Sequence, residues 1–211
     1  REVVARLAAR CPVAVVSGRD RADVQQRVGL SAIAYAGSHG FDITLADGTR
    51  HEHPAGMERL AALDQAEHEL RAALAAIPGA LVERKRYSIA THYRLVADLD
   101  VARVTRAVDA AAASGLRRKG GKKVVELQPD VPWDKGAAVR WLLEALDLGE
   151  GAFPVYVGDD VTDEDAFDAV RDDGLGVVVL DTPRPTSATL SLRDPAEVRR
   201  FLEELARALE T

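Results

Sequence analysis

The sequence predicts an α/β fold: an open, mostly parallel sheet with one α+β domain inserted into it. The first observation is a repeated pattern, in which a short β-branched run ends in a polar loop and a helical segment follows. The second is that the middle of the chain instead reads helix, strand, strand, twice. The third is that linker-like segments containing proline mark both changes of pattern. These features indicate a βαβ core interrupted by an insert.

The N-terminal part of the core contains two predicted strands, each followed by a polar loop. The predicted elements are a helix over 1–10, a strand over 13–16, a helix over 22–28 and a strand over 33–36. The first strand ends at Ser17-Gly18-Arg19, and the second ends at Gly37-Ser38-His39-Gly40. Functional sites in parallel sheets lie at the carboxyl ends of strands, so both loops are candidate site segments.

The C-terminal part of the core repeats this arrangement. The predicted elements are a helix over 137–146, a strand over 154–157 and a strand over 176–180. Asp134-Lys135-Gly136 precedes the helix, and Gly158-Asp159-Asp160 follows the first of these strands. The same edge of the sheet should therefore carry a lysine and an acidic cluster.

The predicted insert is an α+β domain of residues 55–128, and residues 1–54 with 129–211 form the core. Its predicted elements are a helix over 56–76, strands over 81–85 and 88–95, a helix over 101–113, and strands over 116–119 and 122–127. Ser114-Gly115 should end the second helix, and Gly120-Gly121 should form the turn of the last hairpin.

Composition excludes several classes of protein. The 211 residues include 47% hydrophobic and 29% charged residues, with no apolar run of the length that a membrane span needs. The net charge of −6 disfavours a protein that mainly binds nucleic acid. A single cysteine excludes a disulfide framework and suits a reducing cytoplasm. We therefore expect a soluble cytoplasmic protein with a small-molecule substrate.

The densest chemical signal is the acidic segment from Asp159 to Asp165, which holds five carboxylates in seven residues. Such carboxylates repel unless a cation or a helix N-terminus compensates, and Mg²⁺ takes one or two of them with water and phosphate oxygens. An equal alternative is that Thr162 or Asp163 caps the following helix while its neighbours are solvated.

Two weaker signals are Lys135 and Ser17-Gly18-Arg19. A lysine at a helix start opposes the helix dipole, so holding a phosphate would explain it. Taken alone, however, a solvent-facing lysine after a turn is the simpler interpretation. Ser17 and Arg19 could likewise bind phosphate or form a plain loop between strand and helix.

The conjunction of these signals, in this order and with an insert between the first and second, resembles motifs of the haloacid dehalogenase phosphatase superfamily. The detail is similar to the trehalose-6-phosphate phosphatase family over residues 1 to about 205. Six segments carry the resemblance: Val15-Val16-Ser17-Gly18-Arg19, Ala36-Gly37-Ser38-His39-Gly40, His92-Tyr93-Arg94, Val125-Glu126-Leu127-Gln128-Pro129, Asp134-Lys135-Gly136 and Gly158-Asp159-Asp160-Val161-Thr162-Asp163-Glu164-Asp165. The resemblance implies a Rossmann-like core and a cap formed by the insert.

The resemblance also implies roles for individual residues. Ser17 would hold the transferring phosphoryl group and Lys135 would neutralise it. Asp159 would bind Mg²⁺, supported by Asp160 and Asp163.

Sugar recognition would fall to polar residues, most of them in the insert. Glu126 would contact trehalose hydroxyls, joined by Glu83, Lys85 and the His39 loop, and Arg19 would extend the polar wall. Trehalose 6-phosphate would be the substrate, and association with a trehalose-phosphate synthase is a further expectation. Without the motif, His39 reads as a structural histidine.

The superfamily's nucleophile motif, Asp-x-Asp on a first and central strand, does not occur in these residues. Asp98-Leu99-Asp100 lies in the insert, and Asp47-Gly48-Thr49 lacks the upstream aspartate. Arg1 also begins inside a helical pattern without a cap or an initiator methionine. We therefore expect a truncated phosphatase without hydrolase activity. The strands before Ser17 and Asp159 should each have an unpaired edge, which should destabilise the core.

Two alternatives remain open at the level of sequence. The chain could be a non-catalytic sugar-phosphate-binding or regulatory domain. It could also derive from a phosphatase for another disaccharide phosphate, since cap contacts decide sugar specificity.

Overall fold

The computed structural model describes residues 1–112, 115–149 and 151–210. The helices are α1 (Glu2–Ala8), α2 (Arg21–Val28), α3 (Pro54–Met57), α4 (Leu60–Leu74), α5 (Asp98–Ala111), α6 (Lys135–Ala145), α7 (Glu164–Val170) and α8 (Pro195–Ala208). The strands are β1 (Ala14–Val16), β2 (Ala34–Gly37), β3 (Asp42–Thr44), β4 (Arg50–Glu52), β5 (Leu81–Lys85), β6 (Ser88–His92), β7 (Leu116–Gly121), β8 (Val124–Pro129), β9 (Val155–Gly158), β10 (Leu175–Val179) and β11 (Leu190–Leu192). Short 3₁₀ turns occur at Ser38–Gly40 and Val161–Asp163. The predicted α/β class is confirmed.

The described residues divide into two compact units. The first unit comprises Arg1–His51 and Trp133–Thr211, and the second comprises Glu52–Pro132. The sequence placed these boundaries after residues 54 and 128, within the linker segments. No helix in the described ranges is long and apolar enough to cross a membrane.

The second unit is an antiparallel sheet with two long helices. Its strands run in the order β5-β6-β8-β7, so the two hairpins join through β6 and β8. Alternation along each strand places one set of side chains, including Ile89 and Leu127, on the core face. These two side chains and Leu63 and Leu70 of α4 are fully buried. The core of this unit is one continuous cluster, drawn from α4, α5 and all four strands.

Three predicted features of the insert are wrong in detail. The helix predicted over 56–76 is broken at Glu58–Arg59 into α3 and α4, and the strand predicted over 88–95 ends at His92. The hairpin turn lies at Lys122–Lys123 rather than at Gly120-Gly121, because the ladder continues to the pairs Gly121↔Val124 and Leu116↔Pro129. Lys123 takes the left-handed conformation, with φ of 61°, that glycine was expected to supply. Ser114, predicted to end the second helix, and Ala113 lie outside the described residues.

The first unit contains two sheets. One has the order β1-β2-β3-β4, in which β1 and β2 are parallel while β2 and β3 are antiparallel. The other has the order β11-β10-β9 and is parallel throughout. Four elements in this unit, β3, β4, β11 and α8, were not predicted. The three strands have only three residues each and no long apolar run.

The strands β1 and β9 each form an outer edge of their sheet. Within the described ranges neither pairs with a second neighbour, as the resemblance led us to expect. Two cavities, of about 530 and 330 Å³, are lined by both strands and by side chains of α8, joined in the larger cavity by α6 and in the smaller by α1. The lining is mostly apolar and includes Val16, Leu142, Val155 and Leu205. The core of the first unit is accordingly divided into three smaller clusters.

Candidate active site

The loops after β1 and β2 are bound to each other by main-chain hydrogen bonds. The His39 amide donates to the Ser17 carbonyl at 2.8 Å, and the Ser38 amide donates to the Arg19 carbonyl at 2.6 Å. The Ser38 hydroxyl donates to Asp20 Oδ1 at 2.9 Å, and the Arg19 amide donates to Ser17 Oγ at 3.2 Å. The Ser17 hydroxyl is therefore held in a fixed turn rather than in a flexible loop.

His39 lies against this turn in a costly backbone conformation. Ser38 and His39 have φ of 51° and 58°, a left-handed region that residues with a Cβ rarely adopt. The His39 imidazole packs on Gly18, where an added Cβ would lie 2.8 Å from both Cε1 and Nε2. Glycine is thus required at position 18 for this contact. Backbone strain of this kind concentrates at functional sites, which supports the prediction that His39 has a functional role.

Lys135 is buried at the first turn of α6. The helix is capped by Asp134, whose Oδ1 accepts a hydrogen bond from the Ala137 amide at 2.7 Å. Lys135 is only 7% exposed, and its ammonium donates to Asp163 Oδ1 at 2.7 Å. The simpler interpretation of a solvent-facing lysine is therefore wrong.

Asp163 is the centre of the acidic segment, and both of its oxygens are occupied within the protein. Oδ1 accepts from Lys135 Nζ and from the Tyr156 hydroxyl, each at 2.7 Å. Oδ2 accepts from the amides of Asp159 and Asp160, at 3.1 and 2.9 Å. Burial raises the pKa of Asp163, but the Lys135 ion pair and the other donors outweigh it, so the pKa lies below its usual value. The carboxylate is charged and saturated with donors.

The local backbone is shaped to admit this carboxylate. A Cβ on Gly158 would lie 2.4 Å from Asp163 Cγ, so only glycine permits the close approach. Asp160 caps the 3₁₀ turn by accepting from the Val161 amide at 2.6 Å. The acidic segment is thus partly a capping structure, but the capping side chain is Asp160. Asp163 precedes α7 without a side-chain cap hydrogen bond, so the alternative that Thr162 or Asp163 caps this helix is wrong in its residues.

The three predicted metal-ligating residues differ in what they can offer. Asp163 has no oxygen left without donors, which corrects its assignment as a supporting ligand and makes it a link between Lys135 and the Asp159 loop. Asp159 and Asp160 are exposed. No hydrogen bond to the Asp159 carboxylate occurs among the described residues, and the described ranges contain no group of three or more His, Cys, Asp or Glu side chains arranged for a metal. One exposed carboxylate at a strand end still fits Mg²⁺, which completes its shell with water and phosphate oxygens.

The Arg19 side chain makes an ion pair of its own, although its main-chain amide contacts the Ser17 hydroxyl. Its guanidinium pairs with Asp23, one turn along α2, at 3.2 Å, and 60% of its side chain is exposed. The predicted contribution of Arg19 to a polar wall is therefore not supported by its conformation.

The predicted sugar-binding residues of the second unit share one face of its sheet. The register Glu83↔Ala90↔Glu126 places Glu83 and Glu126 on the same face, opposite the core. Glu126 Oε1 accepts from Lys85 Nζ at 3.0 Å and from the Ser88 hydroxyl at 2.6 Å. Its Oε2 accepts from the Gln128 amide at 3.1 Å. Lys85 and Glu126 are thus brought together, with Ser88 and Gln128 as buried partners.

Glu83 lies at the outer part of the same face. Its carboxylate is 2.9 Å from His92 Nε2, and both side chains are substantially exposed. Sequence reasoning did not assign roles to Ser88, Gln128 or Tyr156. Strand alternation could have identified Ser88 and Gln128, because both side chains lie on the same face of the sheet as Glu126. No local sequence pattern marks Tyr156.

The sequence of the chain matches the model of one protein family, described as trehalose-phosphatase, over residues 1–196. The chain belongs to this family. A trehalose-phosphate phosphatase from Mycobacterium ulcerans is 48% identical over 98% of the chain and 54% of its own length. One from Mycobacterium tuberculosis H37Rv is 49% identical over 99% of the chain and 55% of its own length. The chain therefore spans about half the length of these relatives.

Solved structures show the same fold at lower identity. A trehalose-6-phosphate phosphatase related protein superposes with a TM-score of 0.84, at 23% identity, covering 98% of the chain and 86% of its own. The C-terminal domain of the Candida albicans trehalose-6-phosphate phosphatase gives 0.77 at 20% identity, covering 98% and 82%. A haloacid dehalogenase-like hydrolase from Bacteroides thetaiotaomicron gives 0.69 at 13% identity, covering 97% and 90%. These likenesses confirm the predicted fold.

Proposed function

We propose that the chain is part of a phosphatase that hydrolyses trehalose 6-phosphate to trehalose and phosphate with Mg²⁺. The observation that carries the proposal is the buried, ion-paired Lys135 beside the loop after β9, in a chain of the trehalose-phosphatase family. A buried ammonium with a single carboxylate partner among the described residues suits a second anion.

The phosphoryl group is bound by Ser17 and Lys135. The Ser17 hydroxyl is preorganised by the hydrogen bonds that join its loop to the His39 loop. The Lys135 ammonium carries three N–H donors, one of which is used on Asp163, so the others can donate to phosphoryl oxygens. Preorganised donors of this kind stabilise the charge of a transferring phosphoryl group.

The metal is held by Asp159, with Asp160 near it and Asp163 bracing the loop. Bound Mg²⁺ would neutralise charge on the phosphoryl oxygens. The Asp159 loop is kept in place by its own amide, which donates to Asp163. Within the segment, Lys135 and main-chain amides compensate the charge of Asp163.

The sugar is recognised by Glu126, Lys85 and Glu83 of the second unit. The His39 loop of the first unit is a separate candidate for sugar contacts. An ionised glutamate accepts from hydroxyl groups, and Lys85 donates to them, so the pair suits a polyhydroxylated ligand. Glu126 is held by Lys85, Ser88 and Gln128, which fixes its orientation for such contacts.

Hydrolysis in this superfamily proceeds through an aspartyl-phosphate, and none of the 211 residues corresponds to the attacking aspartate of an Asp-x-Asp-Gly-Thr motif. We therefore expect the chain by itself to bind trehalose 6-phosphate without turnover. The same observation favours a second candidate function, a non-catalytic sugar-phosphate-binding or regulatory domain. A phosphatase for another disaccharide phosphate is the third. A cytoplasmic location and association with a trehalose-phosphate synthase complete the proposal.

The test is calorimetric titration of the full chain with trehalose 6-phosphate, with phosphate release measured in parallel. We expect binding without release. Lys135→Ala should weaken trehalose 6-phosphate and inorganic phosphate alike, whereas Glu126→Gln should weaken only the sugar phosphate. Equal losses on both ligands in Glu126→Gln would contradict the sugar-binding role, and tighter binding of sucrose 6-phosphate would favour the third candidate.

A further inference from the structure

Tyr156 is a half-buried polar residue that the proposed function does not use. It lies on β9, and its hydroxyl donates to Asp163 Oδ1 at 2.7 Å. Its ring packs edge-on against Phe167, with the ring centroids 5.6 Å apart. Packing alone would be satisfied by phenylalanine, so the hydroxyl requires a separate explanation.

The tyrosine hydroxyl shares its acceptor with the proposed phosphate-binding lysine. Asp163 Oδ1 receives both the Tyr156 hydroxyl and Lys135 Nζ at 2.7 Å, and the lysine and aspartate side chains are only 8% and 5% exposed. Two donors on one oxygen divide the carboxylate's attraction between them and fix the rotamer of the acid. A lysine paired with an acid that had no second donor would be held more tightly by that acid and would donate less strongly to another anion.

We propose that Tyr156 is a positioning residue for Lys135. Its hydroxyl shares Asp163 Oδ1 with the ammonium, so that Asp163 holds the ammonium less tightly and the ammonium can donate to a phosphoryl oxygen. This inference rests on the proposed function. The same contact reaches the Asp159 loop, because Asp163 Oδ2 accepts the amides of Asp159 and Asp160. Burial and the charge of Asp163 both raise the pKa of Tyr156, so the hydroxyl remains a donor over the whole working pH range.

The second unit offers a matched control. Tyr87 is buried, and its hydroxyl, like that of Tyr156, donates to a carboxylate, Glu52 Oε1, at 2.8 Å. Tyr156→Phe and Tyr87→Phe therefore remove the same kind of hydrogen bond, but only the first contacts the acid that pairs with Lys135.

The experiment measures binding of inorganic phosphate by the full chain, together with the thermal unfolding midpoint, for the wild type and four variants. These are Tyr156→Phe, Tyr87→Phe, Lys135→Ala and the double variant Tyr156→Phe/Lys135→Ala. We expect Tyr156→Phe to weaken phosphate affinity by about fivefold or more, since hydrogen bonds to charged groups are worth more than neutral ones. Tyr87→Phe should leave the affinity unchanged, and Tyr156→Phe should have no further effect in the Lys135→Ala background.

The outcomes separate the two proposals. Wild-type affinity in Tyr156→Phe, with binding lost in Lys135→Ala, would overturn the positioning role alone. An equal loss in Tyr87→Phe, or additive losses in the double variant, would reduce Tyr156 to a structural residue. Failure of the wild type to bind phosphate, or full binding by Lys135→Ala, would overturn the proposed function and this inference with it.

A second measurement needs no substitution and covers the case in which Tyr156→Phe does not fold. The chain has four tyrosines, so 3-fluorotyrosine labelling gives few ¹⁹F signals to assign. Titration with phosphate should shift the Tyr156 signal and leave the Tyr87 signal in place. A Tyr156 signal that does not respond while phosphate binds would contradict the inference.

Discussion

The two units differ in the continuity of their sheets and of their apolar cores. In the second unit, four strands pair in one sheet and a single apolar cluster fills the space beneath α4 and α5. In the first unit, two sheets end at β1 and β9, and the apolar side chains between them line cavities of about 530 and 330 Å³. The difference shows that a continuous sheet, more than hydrophobic content, makes a continuous core, because a strand edge without a partner interrupts the packing of both faces.

Each unit also contains a lysine paired with a carboxylate, and these pairs differ in burial. Lys135 and Asp163 have side chains that are 8% and 5% exposed, whereas Lys85 and Glu126 are 22% and 16% exposed. The deeper pair connects two helix starts in the unit whose core is divided, and the shallower pair lies on the open face of the continuous sheet.

The largest effect should come from breaking the deeper pair. Asp163→Ala leaves Lys135 buried without its partner and frees the amides of the Asp159 loop, so we expect a loss of about 3–5 kcal/mol in unfolding free energy. The chain's two tryptophans, Trp133 and Trp141, both lie in the first unit, so fluorescence-monitored urea unfolding reports on that unit. The control is Asp159→Ala, an exposed neighbour expected to change stability by under about 0.5 kcal/mol. Equal effects would contradict the role of Asp163.

The next effect concerns the two cores. Leu127 is fully buried in the continuous cluster, and Leu127→Ala should cost about 2–5 kcal/mol. Val16 lines the cavities and is half-buried, so Val16→Ala should cost less than about 1 kcal/mol. Amide hydrogen exchange resolves each unit separately, and similar costs for the two substitutions would remove the distinction between a continuous and a divided core.

A smaller effect is expected from the shallower pair. Glu126→Gln keeps the shape of the side chain but removes the charge that Lys85 and Ser88 contact, so we expect a loss of about 1–2 kcal/mol. Circular dichroism during urea unfolding would measure it. A loss as large as that of Asp163→Ala would mean that burial does not rank the two pairs.

The smallest effect is a pH dependence at Cys11, which lines both cavities. Burial raises the pKa of the Cys11 thiol, so alkylation of the folded chain at pH 8.5 should be slower than alkylation of the urea-unfolded chain. Because the folded pKa is the higher one, this group contributes stability below the unfolded pKa of about 8.5 and loses it as the pH rises further. Equal alkylation rates would show that the thiol is not shielded.

Four strands of the core, β1, β2, β9 and β10, were predictable because they are short apolar runs that stop at polar loops. The runs before Ser17 and Asp159 each became a strand with the expected loop at its carboxyl end. The hairpin turn at Lys122–Lys123 was not predictable from turn chemistry, since the length of the ladder set its position and glycine favoured another place. The break between α3 and α4 also has no glycine or proline at Glu58–Arg59 to mark it.

The sequence identified individual residues of the candidate site, but not which of them contact each other. Lys135 and Asp163 were both named from the sequence, but their pairing across 28 positions, and the consequent loss of Asp163 as a free metal ligand, required the folded chain. The sequence analysis also named Arg19, but its side chain is exposed and pairs with Asp23, four residues further along the chain.

The amino-acid sequence alone was sufficient for the fold class, the order of most elements and the family resemblance, because these depend on local periodicity and on motif spacing. The division of the first core and the pairing of Lys135 with Asp163, 28 positions apart, arise between residues distant along the chain. Such contacts are set by which strands pair and how helices approach, and no local pattern encodes them.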